Sequence, residues 1–281
     1  MSTCSFFDIA DKYKAILLDS YGVLKNHTGL IDGVQNTVEQ LRDAGKIIRI
    51  LTNDASRSQQ QQVDSFARLG LTGIEPHEII TSAMLAKHFL EKKIASGKVA
   101  YLGTENSAVY VRHPDIDTIP VSEIDLDNMD DFTAFVFLDD EGFDWNTDIS
   151  KTVNILRRQT MPIIIANTDK IYPVAKDQVS VATGGIAQLV ASMLSKRFIN
   201  FGKPDSQMFM FAYEQINKDV AVDKNEILMV GDTLHTDILG GNKFGVQTML
   251  VLTGNTREDN VDMHIRSSGI IPDYICNSIL K

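Results

Sequence analysis

An α/β fold is predicted, a doubly wound parallel sheet interrupted by an inserted α/β domain, and three observations predict it. Short apolar runs with the character of buried strands alternate with stretches of helical spacing. That alternation restarts in mid-chain, at Val99-Ala-Tyr-Leu102, before the first series is complete. A length of 281 residues exceeds the roughly 150 of an average domain by nearly a factor of two.

Taken in order, Ala15-Ile-Leu-Leu-Asp19 reads as a buried parallel strand that ends on an acid, and Tyr21-Gly22 begins a loop. Val34, Val38 and Leu41 recur at helical spacing between Gly33 and Gly45, and Ile47 to Leu51 follow as a second strand ending at Thr52-Asn53. Helices are expected over Gln59 to Leu69 and Ser82 to Lys92. After the restart, Phe132 to Leu138 and Pro162 to Ala166 read as strands, with Asp148 to Arg158 as the helix between them. Beyond Gly184-Gly185 an amphipathic helix carries Ile186, Leu189, Val190, Met193 and Leu194. The series ends with the strand Ile227 to Val230, closed by Gly231-Asp232, a helix around Ile238 to Phe244, and the strand Val246 to Leu252. Such alternation implies parallel pairing through right-handed crossovers. A core over residues 1–81 and 183–281, with an insertion over 82–182, is the expected division.

Composition narrows the function. Hydrophobic residues make up 43% of the chain and charged residues 23%, which suits a globular protein with a substantial core. The 37 acidic and 27 basic residues leave a formal charge of −10, and no basic cluster offsets it, so nucleic acid is not an expected partner. Cys4 and Cys276 lie at opposite ends, which speaks against a disulfide framework or a thiolate zinc site and fits a reducing cytoplasm. Asp8 and Asp11 interrupt what would be the apolar centre of a signal peptide, and no apolar run reaches the 18 or so residues of a membrane span. A cytoplasmic protein without membrane contact is expected, and a homo-oligomer is compatible with the sequence.

Ligands of an open parallel sheet collect at the carboxyl ends of its strands. The expected strand ends and adjoining loops here carry Asp19, Thr52-Asn53, Lys203 and Asp232, with Asp237 close behind. Carboxylates suit Mg²⁺, a hard cation that prefers oxygen, while a lysine and a threonine can neutralise and hydrogen-bond a phosphoryl group. A carboxylate can also attack phosphorus to form an aspartyl phosphate. Phosphoryl transfer is the chemistry implied. Neither a GxxxxGK[ST] loop nor a GxGxxG after the first strand is present, so P-loop and dinucleotide-dependent enzymes lack their backbone cradle. A receiver-type phosphoacceptor would need only about one domain.

Asp19-Ser-Tyr-Gly-Val23, Leu51-Thr-Asn53, Gly202-Lys-Pro204 and Gly231-Asp-Thr-Leu-His-Thr-Asp237 resemble the four ordered motifs of the haloacid dehalogenase (HAD) superfamily. The insertion, leaving through Ala166-Asn-Thr-Asp169, resembles the C2 cap of its class IIA, NagD-like members, which include nucleotide, sugar and pyridoxal phosphatases. The resemblance implies a Rossmann-like core, a C2-type cap, and a Mg²⁺-dependent phosphomonoesterase acting on a small phosphorylated metabolite, a sugar phosphate foremost. By the same resemblance Asp19 is nucleophile and metal ligand, the Tyr21 carbonyl and Asp232 are further ligands, and Asp237 supports the metal's waters. Thr52 and Asn53 bind the phosphoryl oxygens, and Lys203 offsets charge on Asp19 and the phosphate. Asn167 and Asp169 are assigned equally to substrate contact and to the turn that leaves the cap, since Asx residues favour turns.

At one position the sequence departs from the pattern. Most phosphatases of this superfamily have a second aspartate two residues after the nucleophile, which protonates the leaving group and then activates water; Tyr21 stands there. A phenol, with a reference pKa near 10, is a poor base at neutral pH, and a lost acid/base costs about 10²- to 10⁴-fold. An alternative is therefore a catalytically weakened protein that binds a phosphorylated ligand or regulates. His235 and Asp54 are the candidate replacements for the missing base, although His235 also reads as an ordinary loop histidine. Asp237 could equally be a helix N-terminal acid favoured by the dipole, and Thr52 a satisfied strand-end hydroxyl.

Overall fold

The computed structural model describes residues 5–175, 178–218 and 220–280. Its elements begin with α1 (Phe6–Ala10), β1 (Ala15–Leu18), a small hairpin of β2 (Lys25–Asn26) and β3 (Gly29–Leu30), α2 (Val34–Asp43), β4 (Ile47–Thr52), α3 (Gln59–Leu69) and β5 (Ile79–Thr81). There follow α4 (Ser82–Phe89), β6 (Gly97–Leu102), β7 (Ile116–Pro120), β8 (Ala134–Phe137), α5 (Thr147–Arg158), β9 (Ile163–Ile165), a second hairpin of β10 (Ile171–Ala175) and β11 (Gln178–Val181), α6 (Thr183–Ser192) and β12 (Ile199–Asn200). Last come α7 (Ser206–Asn217), β13 (Ile227–Gly231), α8 (Leu239–Phe244), β14 (Gln247–Val251), α9 (Val261–Ser268) and β15 (Tyr274–Cys276).

These elements form two compact units, one of Met1–Thr52, Gln59–Ile80 and Lys203–Lys281, the other of Asn53–Ser58 and Thr81–Gly202. In the first, a six-stranded sheet has the order β15-β14-β13-β1-β4-β5. The chain builds outward from β1 in one direction, then returns to β13 on its other side and builds the opposite way. This reversal is the topological switch point at which doubly wound sheets bind ligands. Alternate residues face opposite sides, so Ile16 and Leu18 join Ile48, Ile50, Leu228 and Val230 in one core, while Leu250 and Ile275 meet Ile238 and Ile265 in another. All four residues of β1 are buried, as a strand covered on both faces requires.

In the second unit the sheet order is β12-β9-β8-β6-β7, with parallel pairing throughout. Phe135, Phe137, Ile163 and Ile165 from this sheet pack against Ile155 and Leu156 of α5 and Ile186, Ala187 and Val190 of α6. Here the expected division at residue 182 is corrected. Residues 183–202 fall in the second unit because α6 buries its apolar stripe in that core and β12 pairs with β9, Ile199 beside Ile164. Residues 53–58 also group there, since Ser82 donates to the Asn53 carbonyl.

The strands and helices read from apolar spacing all recur, most with ends displaced by a residue or two, while the helix expected beyond Gly184-Gly185 begins at Thr183 and ends at Ser192. The expected helix over Ser82 to Lys92 ends at Phe89 and continues as a wider π-helical turn over Leu90–Ile94. Sequence reading passes over β5, β7, β15 and the hairpins because runs of two to five residues carry little periodicity. It also passes over α7, whose signals are nonetheless present: Asp205 caps the helix by accepting from the Gln207 N–H, and Met208, Phe209, Ala212 and Ile216 form its buried stripe. Among the described residues no helix is long and apolar enough to cross a membrane. Cys276 is buried in β15, and Cys4 lies outside the described residues.

Candidate active site

Register assembles the site within the first unit. Leu18 of β1 lies beside Ile50 of β4 and Val230 of β13, so the residues that follow each strand emerge together at one edge. Those residues are Asp19, Leu51-Thr52 and Gly231-Asp232. The π-helical turn Leu234–Ile238 after β13 brings in Asp237, and the loop before α7 brings in Lys203.

Lys203 is the centre of this group. Its Nζ lies 2.6 Å from Asp19 Oδ1 and 2.7 Å from Asp237 Oδ1, and it donates to the Leu51 carbonyl at 2.9 Å. Only 2% of the residue is exposed. Burial alone would favour the neutral amine, but the adjacent carboxylates of Asp19 and Asp237 outweigh it and hold the ammonium above its ordinary pKa. Asp237 is fully buried, and its other oxygen accepts from the Thr233 N–H at 3.1 Å. It thus serves both as counter-ion to Lys203 and as an N-terminal acid of its own turn.

Asp232 completes the group. One carboxylate oxygen from each of Asp19, Asp232 and Asp237 lies within 4.8 Å of the others. Burial, and then repulsion from Asp19 and Asp237, pushes the Asp232 carboxyl well above the usual carboxylate range. Burial does the same at Asp237, opposed in part by Lys203. Among the described residues of this group three acids face one lysine, a surplus of carboxyl groups whose ionisation burial opposes unless a further cation joins them. An all-oxygen donor set with that surplus fits a hard divalent cation.

Close backbone approach shapes the surroundings of Asp232. A Cβ on Gly22, whose φ is +80°, would lie 2.3 Å from Asp232 Oδ2, and one on Gly254 would lie 1.9 Å from the same atom. Only glycine fits at either position. The Tyr21 phenol is held above its ordinary pKa chiefly by burial, opposed by a hydrogen bond from the His27 backbone and reinforced by Asp232. His235 is exposed and shares a cavity of about 280 Å³ with Thr233, Asn255 and His264.

The other expected site residues gather in the second unit. Asn53, 3% exposed, donates to Asp169 Oδ1 at 2.9 Å and lies 3.4 Å from Thr168 Oγ1. Asn167 accepts from the Asp169 N–H at 2.9 Å, an Asx turn that presents Asp169 to Asn53. Asp54 accepts from the Ser56 N–H and hydroxyl. Asn53, Asn167 and Asp169 therefore form one hydrogen-bonded set. Thr52, 7% exposed, ends β4 in the first unit.

Also in the second unit, Asp139 is 6% exposed and accepts from the Thr104 hydroxyl at 2.9 Å. Burial, together with the charges of Asp140 and Asp54, raises its pKa to about 6. The folded state thus holds this proton to higher pH than the unfolded chain does. The stability it contributes is present below about pH 4 and lost as pH rises to about 6, by order 2 kcal/mol. Asp139→Asn, which remains neutral, is expected to flatten that part of the curve and to be the more stable form at pH 7. Urea unfolding of both proteins between pH 4 and pH 7 measures the difference, and parallel curves would show that the burial cost is not borne by this residue.

Several functional contacts escape sequence reading, namely those of Thr233, Thr253, Gly254 and Asn255 around Asp232. A signal exists for three of them, because Thr253-Gly254-Asn255 follows the apolar run Met249 to Leu252 at a strand's carboxyl end.

Comparison with known proteins agrees with this geometry. The model of the haloacid dehalogenase-like hydrolases matches residues 16–117, and a further HAD-hydrolase-like model matches residues 200–281, together well over half the chain. A crystal structure from Cytophaga hutchinsonii, described as a possible sugar phosphatase of the HAD superfamily, is 52% identical with a TM-score of 0.96, covering 100% of this chain and 99% of that one. Rat chronophin is 28% identical over 97% of this chain and 87% of its own length. The glycerol-3-phosphate phosphatase of Gallus gallus is 27% identical over 94% and 89%. With four motifs in order, a switch-point cluster of acids around a buried lysine, and relatives that match over most of their length, the chain belongs to the haloacid dehalogenase-like hydrolases.

Proposed function

We propose that the protein is a Mg²⁺-dependent phosphomonoesterase acting on a small phosphorylated metabolite, foremost a sugar phosphate, through an aspartyl phosphate on Asp19. The observation that carries the reading is the buried Lys203 bridging Asp19 and Asp237, with Asp232 in the same group. The similarity to a possible sugar phosphatase supports the substrate class.

In this reading an Asp19 oxygen attacks phosphorus, the bond from phosphorus to the substrate oxygen breaks, and that oxygen takes up a proton. Water then attacks the phosphorus of the aspartyl phosphate, which releases inorganic phosphate and restores the carboxylate. Lys203 offsets charge on the nucleophile and on the arriving phosphate. Thr52 and Asn53 hydrogen-bond the phosphoryl oxygens, while Asn167 and Asp169 contribute to substrate contact. Asp19, Asp232 and the Tyr21 carbonyl would hold Mg²⁺, with Asp237 supporting its waters; when bound, the ion supplies positive charge to the transferring phosphoryl group. The second unit acts as a cap that admits small substrates and keeps macromolecular ones out.

Hydrolysis of an aryl phosphate and of a panel of metabolite phosphates, with and without chelator, tests the reading. Full activity in excess chelator, or efficient dephosphorylation of a folded phosphoprotein, would end it. One observation favours the slower variant of this function, since Tyr21 is a half-buried phenol whose pKa is held above its ordinary value, which makes it a poor base near neutrality. Aryl and acyl phosphates, whose leaving groups need no proton, are then expected to be cleaved far better than alkyl phosphates. Tyr21→Asp is expected to raise turnover on alkyl phosphates by about 10-fold or more. Equal rates on both classes in the wild type, unchanged by Tyr21→Asp, would show that another group performs the proton transfer.

A further inference from the structure

We infer that the loop Thr253–Thr256 is a positioning element for the cation, holding Asp232 and the Tyr21-Gly22 turn in one arrangement through Thr253 and Asn255. The inference rests on the proposed metal site and concerns residues outside the four motifs.

The loop leaves β14 and touches two segments from opposite ends of the chain. The Thr253 hydroxyl donates to the Gly22 carbonyl. Two residues on, the Asn255 N–H donates to Asp232 Oδ2 at 2.6 Å, and the Thr256 N–H donates to the Asp232 carbonyl at 3.2 Å. Asp232 Oδ1 accepts from the Thr233 hydroxyl at 2.9 Å, and that hydroxyl in turn accepts from the Asn255 side-chain amide at 2.9 Å. Both carboxylate oxygens are therefore oriented by donors that trace back to this one loop, while each keeps a second lone pair for another ligand.

Gly254 makes the arrangement possible. A Cβ at this position would lie 1.9 Å from Asp232 Oδ2 and 2.7 Å from Gly22 Cα, so the loop backbone lies directly against both. Gly22 O belongs to the Gly22–Val23 peptide, the one directly after the peptide that carries the Tyr21 carbonyl. Fixing it fixes the turn from which the Tyr21 carbonyl is offered, and the same loop fixes the Asp232 carboxylate. Residues that orient ligands from behind typically change metal affinity by about 10- to 100-fold when lost. Their loss changes how well the oxygens converge and leaves the attacking group, Asp19, untouched.

Calorimetric titration of Mg²⁺, and separately Mn²⁺, into the full chain tests this, with thermal melts in chelator as a check on folding. Thr253→Val removes the hydroxyl at nearly constant volume and is expected to weaken cation binding about 10-fold, with a melting temperature close to that of the wild type. Thr253→Ser restores the donor and is expected to restore affinity. In aryl phosphate hydrolysis the Mg²⁺ concentration for half-activation should rise by the same factor in Thr253→Val, with kcat at saturating Mg²⁺ nearly unchanged. Wild-type affinity in Thr253→Val, or an equal loss in Thr253→Val and Thr253→Ser, overturns the inference. Should Thr253→Val fail to fold, Asn255→Ala, which removes only the exposed amide bridge to Thr233, is expected to weaken binding, and unchanged affinity there overturns it as well. Asp232→Asn separates the two levels. If the wild type shows no cation binding that Asp232→Asn abolishes, the proposed metal site itself fails; if it does and Thr253→Val binds normally, only the role of the loop fails.

Discussion

Lys203→Met is expected to lower hydrolysis of an aryl phosphate by about 10³-fold and, measured in chelator, to destabilise the fold by about 3–5 kcal/mol. Methionine fills a similar volume, so the effect isolates the charge. Lys203 is 2% exposed and donates to two carboxylates within 2.7 Å and to the Leu51 carbonyl, all inside the first unit. Its removal leaves the carboxylates of Asp19 and Asp237 without the cation that bridges them in a largely buried site. A buried pair broken from one side costs far more than the intact pair contributes, because the surviving charge has lost its compensation. Incoming phosphate meets the same uncompensated field, so activity and stability fall together. Steady-state rates and chemical unfolding measure the two effects independently. A variant with normal rates would place the chemistry elsewhere, and one with normal stability would mean that the carboxylates give up charge in response.

Asp19→Asn is expected to reduce turnover by about 10⁴-fold or more and to leave the protein folded. An amide oxygen is a far weaker nucleophile than a carboxylate, and the next acid along the chain is Asp32, thirteen residues on. Asp19 is 9% exposed, the most open of the three acids in the cluster, while Asp232 and Asp237 are at 1% and 0%. Rapid quenching of the wild type during hydrolysis should trap a phosphorylated aspartate, made longer-lived by Tyr21, and Asp19→Asn should yield none. Phosphoenzyme in the variant would assign the nucleophile to another residue.

The sequence by itself determined the fold class, because apolar runs of strand length and stripes of helical spacing are local properties that burial then enforces. It also determined the list of chemically competent residues, Asp19, Thr52, Asn53, Lys203, Asp232 and Asp237, since each sits beside a strand end or in a loop whose neighbours mark it. Tertiary structure alone decided how these residues divide. Parallel register between β1, β4 and β13 gathers Asp19, Asp232, Asp237 and Lys203, whereas Asn53 turns to Asp169 in the other unit. Spacing along the chain carries no information about such pairings: Lys203 meets Asp237 and Asp19 across 34 and 184 residues, and Asn53 meets Asp169 across 116. The second boundary was equally hidden, because α6 looks like any amphipathic helix until the sheet that covers its stripe is known. The loop Thr253–Thr256 shows the limit most clearly: a threonine, a glycine and an asparagine have no chemistry of their own to announce, and acquire a role only where the fold presses them against Asp232 and Gly22.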